Sequence, residues 1–128
     1  MQSFSNTLFA DAESEYLDAS YGIFGVPFDG TTSFKAGCRD APAAIRQASY
    51  NIETYNPHYD IELPEIPFHD MGDIYAECLP DLVVAQVEDV VLDLVKDGKI
   101  PVMIGGEHSI TIGAVRALSP SWYVVCDA

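Results

Sequence analysis

The chain has 128 residues, 48% of them hydrophobic, which is enough for one domain with a real core and too apolar for a disordered chain. Its 20 acidic against 6 basic residues give a formal charge of −14. That balance argues against a nucleic-acid binder, which needs a basic footprint to hold phosphates. It suits a small cationic ligand, or an acidity that serves only solubility.

Cys38, Cys78 and Cys126 are odd in number and widely spaced, with no C-x-x-C pair, so neither a zinc ribbon nor a disulfide scaffold is indicated. They read as reduced thiols of a cytoplasmic protein. The first 20 residues lack a basic stretch followed by an apolar core, as a signal peptide requires, and no apolar run reaches bilayer-spanning length, so no membrane partner is expected.

In chain order, YGIFGVPF at 21–28 is an aromatic and branched run that predicts a buried strand. It breaks into the Gly-, Thr- and Ser-rich loop DGTTSFKAGCRD. A helix opens at Asp40-Ala41-Pro42, with Ala43, Ala44, Ile45 and Ala48 expected to supply helix propensity and apolar contact. Residues 51–65 read as irregular, and IPFHD at 66–70 as a short strand leading to a turn at Gly72. Residues 80–97 carry the clearest helix, with Leu82, Val83, Val84, Val87, Val90, Val91, Leu94 and Val95 on an i, i+3, i+4 stripe. KIPVMIGG at 99–106 predicts a strand ending in two glycines, EHSITIGAVRAL at 107–118 a helix, and SWYVVCDA at 121–128 a last strand. Strands and helices alternating without alternating polarity predict parallel βαβ units, hence an α/β fold.

In such a sheet, ligands collect beyond the carboxyl ends of the strands. Those ends carry Asp29 with its loop, then Gly106-Glu107-His108-Ser109, then Asp127. His108 follows a glycine turn that can present its imidazole at a helix start. Imidazole and carboxylate are natural ligands for a divalent transition metal, although a lone histidine beside a turn also serves as a hydrogen-bonded structural residue. Ser109 reads as a helix-capping hydroxyl rather than a nucleophile, because adjacent helical residues point apart. Glu107 could be a ligand, a base or a support for its neighbours. His58 reads as solvated. His69, with Asp70 and Asp73, reads as a turn with capping acids in preference to a metal cluster. Neither a phosphate loop nor G-x-G-x-x-G is present, so a nucleotide-binding module is not supported.

Four segments in order resemble the ureohydrolase family, which includes arginase and agmatinase. Gly37, Arg39, Pro42, Ile45 and Arg46 fall on its G-x-R-x-x-P-x-x-I-R pattern; DMGDI resembles its D-x-G-D segment; GGEHSIT resembles its GG-D-HS signature with Glu107 replacing Asp; and the terminal CDA resembles the start of D-A-H-x-D. The GVPFD opening and GGEHSIT lean toward agmatinase. The resemblance implies an arginase-like three-layer αβα sheet, incomplete here: residues 1–20 as an N-terminal segment, and 21–128 as the N-terminal portion of one ureohydrolase α/β domain. It implies hydrolysis of a small cationic guanidino substrate, agmatine to putrescine and urea, by a hydroxide bridging two Mn²⁺ in a complete, homo-oligomeric enzyme. His108 would ligate one metal, Asp127 would bridge both, and Glu107 would brace the ligands without touching metal; no residue of this stretch is assigned a catalytic role. Two side chains cannot hold two metals, so the 128 residues alone are expected to be inactive. The alternatives are an arginase or other guanidino-acid ureohydrolase, or a truncated homologue that binds a partner without chemistry.

Overall fold

The structure, a computed structural model, describes residues 7–33 and 35–119. The strand expected at 121–128, with Asp127 and Cys126, lies outside the described residues. Three parallel strands form the main sheet: β1 (Tyr21–Val26), β4 (Phe68–Asp73) and β5 (Ile100–Gly105), in the order β4-β1-β5. The two-residue strands β2 (Tyr55–Asn56) and β3 (Ile61–Glu62) make a small antiparallel hairpin in the stretch expected to be irregular. The α-helices among the described residues are α1 (Ala41–Ser49), α2 (Pro80–Lys96) and α3 (Thr111–Leu118), with short 3₁₀ turns between elements.

β1 is central, and its side chains divide the core between two faces, as strand alternation demands. Phe24 and Val26 join Val83, Val87, Val91 and Leu94 of α2 and Ala117 of α3 in one cluster. Tyr21 and Ile23 point the other way, toward Ala12, Phe68, Leu8 and Phe9. The sheet thus has helices packed on it, in the three-layer arrangement. Each core Val or Leu that leaves water contributes roughly 1.5–3 kcal/mol, so α2 is held by its buried stripe more than by its own propensity. Leu82 and Val95, expected on that stripe, lie at its margins and are exposed. β1 runs in unbroken register with β5, whereas its pairing with β4 shifts between Ile23 and Gly25: two steps on β1 span three on β4, from Asp70 to Asp73. This bulge carries the strand past Asp70, where the sequence predicts it to stop.

Helix α1 overturns one expectation. Ala43, Ala44, Ile45 and Ala48 all face solvent, and the buried face is Pro42, Arg46 and Ser49. The reason lies in β4. Arg46 is fully buried and forms a fork with Asp70, Nε to Oδ2 at 2.7 Å and Nη2 to Oδ1 at 2.8 Å, while its Nη1 bonds Asp73. Asp70 also accepts the backbone N–H groups of Phe9 (2.8 Å) and Gly72 (2.9 Å). Burial opposes the charge on Asp70, but Arg46 and these two N–H groups outweigh it and hold the carboxyl below its ordinary value. Asp70 and Asp73 are therefore partners of a buried guanidinium, and Asp70 keeps part of the predicted turn role through the Gly72 N–H. His69 Nδ1 bonds the Ser14 carbonyl oxygen (2.8 Å) and its ring meets the edge of Tyr16.

The N-terminal segment is tied down along the same face and across the foot of the sheet. Leu8 N–H donates to Tyr50 Oη, Ala10 N–H to Ser49 Oγ, and Phe9 stacks edge-on against Phe68. Lys99, buried, donates to the Ala19 carbonyl (2.7 Å) with its ammonium 4.5 Å from the centre of the Tyr16 ring. Tyr16 donates to Asp97, whose acceptor oxygen, aided by burial, pushes the phenol up to about 12. Among the described residues no helix is long and apolar enough to cross a membrane.

Candidate functional site

Two neighbouring strands, β1 and β5, send the chain to opposite faces of the sheet. After β1 it crosses to α1, on the face of Ile23; after β5 it crosses to α3, on the face of Phe24. Such a divergence opens a crevice at the carboxyl ends of the strands. A cavity of about 410 Å³ lies there, lined by Thr31, Thr32, Ser33, Lys35 and Cys38 from the loop after β1 and by Gly106, Glu107, His108 and Ser109 from the turn after β5.

The turn is fixed on β1 by its backbone. Gly106 N–H donates to the Val26 carbonyl and Glu107 N–H to the Phe28 carbonyl, each at 2.9 Å. This approach needs a glycine, because a Cβ on Gly106 would fall inside the Phe28 carbonyl. His108 then begins a 3₁₀ turn, His108–Ile110, that leads into α3. The helix predicted from residue 107 therefore starts later, at Thr111, and Glu107 is its extended lead-in. His108 is exposed on the cavity wall.

Glu107 is buried, and its carboxylate reaches back across the crevice. It accepts the Thr31 N–H (2.8 Å), the Thr31 hydroxyl and the Ser109 hydroxyl. Burial would raise its carboxyl, but the donors from Ser109 and Thr31 outweigh that and keep it below the ordinary value. Ser109 is correspondingly not the helix cap that the sequence predicts: its hydroxyl is spent on Glu107, and no side chain caps this turn. The physical reason is that an anionic acceptor two residues away outcompetes neutral backbone groups.

At the root of the loop stands Asp29, with its side chain 5% exposed. It accepts the Gly37 N–H (2.7 Å) and pairs with Arg39 through Nε (3.2 Å) and Nη2 (3.0 Å). The Gly37 N–H, and then Arg39, hold the Asp29 carboxyl below its ordinary value against its desolvation. Sequence reading places Asp29 at a strand end without a partner and leaves Thr31 out altogether. An acid closing an apolar run was the available signal for Asp29; nothing local signals Thr31, whose partner is 76 residues away.

Of the three predicted site residues, the structure brings His108 and Glu107 to one cavity wall, and Asp127 lies outside the described residues. Among the described residues no three His, Cys, Asp or Glu side chains converge on a point that could hold a metal ion. One exposed imidazole suits a divalent ion as a single donor. It does not suffice for one ion, still less two, so further ligands would have to come from elsewhere in the protein.

Comparison with known proteins decides the lineage. Residues 19–126 match the model of the arginase family. The chain belongs to that family. Among curated relatives, the N(1)-aminopropylagmatine ureohydrolase of Thermococcus kodakarensis is 47% identical over 113 residues, covering 86% of this chain and 39% of the relative. Among solved structures, the agmatine ureohydrolase of Thermoplasma volcanium is 47% identical with a TM-score of 0.85, covering 90% of this chain and 39% of that one. A formiminoglutamase of Trypanosoma cruzi, solved with Mn²⁺, is 26% identical with a TM-score of 0.74, covering 91% and 39%. The chain thus spans about two-fifths of the length of the arginase-family proteins it matches, and the described sheet and helices are those of the arginase fold.

Proposed function

We propose that the whole protein to which these residues belong is a manganese-dependent ureohydrolase that splits a linear guanidino amine, agmatine, into putrescine and urea. The observation that carries the reading is His108 on the wall of the crevice between β1 and β5, in a chain of the arginase family. The names of the relatives support hydrolysis of a guanidino group. Manganese is supported by the nitrogen and oxygen donors that His108 and Asp127 would offer and by the manganese-bound relative. In this reading His108 and Asp127 would be among the residues that hold the metal, and Glu107 holds the His108 turn against Thr31. The bound metals would supply a water acidic enough to act as hydroxide near neutral pH. The chain's own contribution is to fix the imidazole's place at the rim and to shape the cavity beside it.

A second substrate, N(1)-aminopropylagmatine, is favoured by the 47% identity to the Thermococcus kodakarensis enzyme. Both substrates are cationic amines carrying the same guanidino group, in keeping with a protein of charge −14. Steady-state urea release by the whole protein with Mn²⁺ tests the proposal, comparing agmatine, N(1)-aminopropylagmatine and arginine. The reading predicts that one of the two amines has the highest kcat/KM. A preference for arginine would contradict it.

A further inference from the structure

The cavity wall after β1 is held at two points, and only one belongs to the turn that carries His108. Its first arm, Gly30 to Ser33, is fastened through Thr31 to Glu107. Its second arm, Lys35 to Arg39, is fastened to Asp29, which sits at the root of the same loop. The bonds from Asp29 fall on Gly37 and Arg39, the two residues flanking Cys38, and Cys38 and Lys35 both line the cavity. Asp29 and Arg39 do not line it. They face a separate hollow of about 280 Å³, bordered by Pro27, Phe28, Ala76, Glu77 and Cys78. Gly37 has φ +132°, a conformation open only to glycine, and nothing packs where its Cβ would be. The conformation of this arm is therefore not imposed by packing at Gly37; beside the 3₁₀ turn in which the Gly37 carbonyl accepts the Asp40 N–H (3.0 Å), its side-chain anchor is the buried Asp29 carboxylate.

We propose that Asp29 is a positioning residue for substrate binding: by gripping Gly37 and Arg39 it sets the Lys35–Cys38 side of the cavity in which the substrate sits. The inference rests on the reading of that cavity as the ureohydrolase site. A residue that shapes a wall, without touching the bond to be broken, acts on ground-state and transition-state binding alike, so its loss appears in KM with kcat retained. A carboxylate needed only for folding would show the reverse, with less folded enzyme of unchanged KM.

The test uses the whole protein loaded with Mn²⁺ and compares wild type with Asp29→Asn, which keeps the shape and removes the charge. Urea release from agmatine gives KM and kcat, and hydrogen exchange by mass spectrometry reads the peptide containing Gly37. The expected result is a KM raised about tenfold, a kcat within about twofold of wild type, and faster exchange at Gly37. Faster exchange with unchanged KM overturns the proposal, as does unchanged exchange, or a fall in kcat at constant KM. If Asp29→Asn does not fold, Arg39→Ala replaces it. That residue's side chain is 62% exposed, and KM is again expected to rise severalfold at constant kcat, an unchanged KM overturning the proposal. Wild-type protein that releases no urea from any of the three guanidino substrates overturns the hydrolase reading and the substrate half of this one. The exchange measurement needs no turnover and reports separately whether Asp29 holds the loop.

Discussion

Two sets of carboxylates are held in different ways, one on β4 and the other just beyond β1 and β5. Asp70 and Asp73, under α1, face a guanidinium that is itself fully buried, and the fork they form leaves Arg46 no route to solvent. Asp29 and Glu107, just beyond the ends of β1 and β5, are buried, more so than Asp73 with its side chain 21% exposed, and are satisfied by backbone N–H groups, hydroxyls and the largely exposed Arg39. In both sets burial is outweighed by donors, and the carboxyls of Asp70, Asp29 and Glu107 stay below their ordinary values. The difference lies in what fails when a partner is lost. A buried ion pair broken on one side strands a charge in the core, whereas a rim carboxylate that loses a donor lies close to water that can replace it.

That contrast can be broken by mutation, beginning with the largest effect. Arg46→Met leaves Asp70 and Asp73 facing an apolar side chain, and is expected to cost roughly 3–5 kcal/mol in urea denaturation of the whole protein. A loss under 1 kcal/mol would show that the network is not a structural linchpin. Glu107→Gln should cost far less stability. It is expected to lower manganese affinity or urea release about 10–100-fold, as loss of a group bracing a metal ligand does. A large loss of stability with activity per folded molecule unchanged would move Glu107 into the company of Asp70.

Smaller still is the coupling between Glu107 and Thr31. In a cycle of Glu107→Gln, Thr31→Val and the double variant, the coupling in kcat/KM is expected at about 1 kcal/mol, within the range for directly bonded residues. Strict additivity would mean that the bond across the crevice does not matter to the site. The pH dependence sharpens the same contrast. Because the folded Asp70 carboxyl lies below its unfolded value of about 3.9, its contribution is complete above that pH and is lost as pH falls through the folded value. Wild-type stability should therefore drop steeply below about pH 4, and the drop should be shallower in Asp70→Asn. Equal slopes would contradict the assignment.

The parts of the fold carried by local pattern were legible in the sequence. The apolar runs gave β1 and β5, the heptad-like spacing of valines gave α2, and two glycines before His108 marked the turn that enters the crevice. What was not legible depends on partners distant in sequence. The apolar residues of α1 suggested a conventional buried face, but the helix turns Arg46 inward because Asp70 and Asp73, 24 and 27 residues on, await it. Ser109 carried the composition of a cap and became a donor to Glu107. The hairpin of β2 and β3, two residues a strand, is too short to leave a period in the sequence. The site was half legible: His108 by its turn, and Glu107 by its place, though not by its bond to Thr31. The family motifs drew attention to Gly37 and Arg39; only the structure joins both to Asp29.

In the function proposed above, the crevice between β1 and β5 is the hydrolytic site and His108 belongs to its metal centre. Manganese-activated urea release from agmatine by the whole protein, measured beside His108→Ala at matched folded concentration, tests this most directly. His108→Ala is expected to bind manganese more weakly and to lose at least about 100-fold in kcat/KM, more than the loss of a merely bracing group. Activity and manganese affinity equal to wild type in His108→Ala would contradict it.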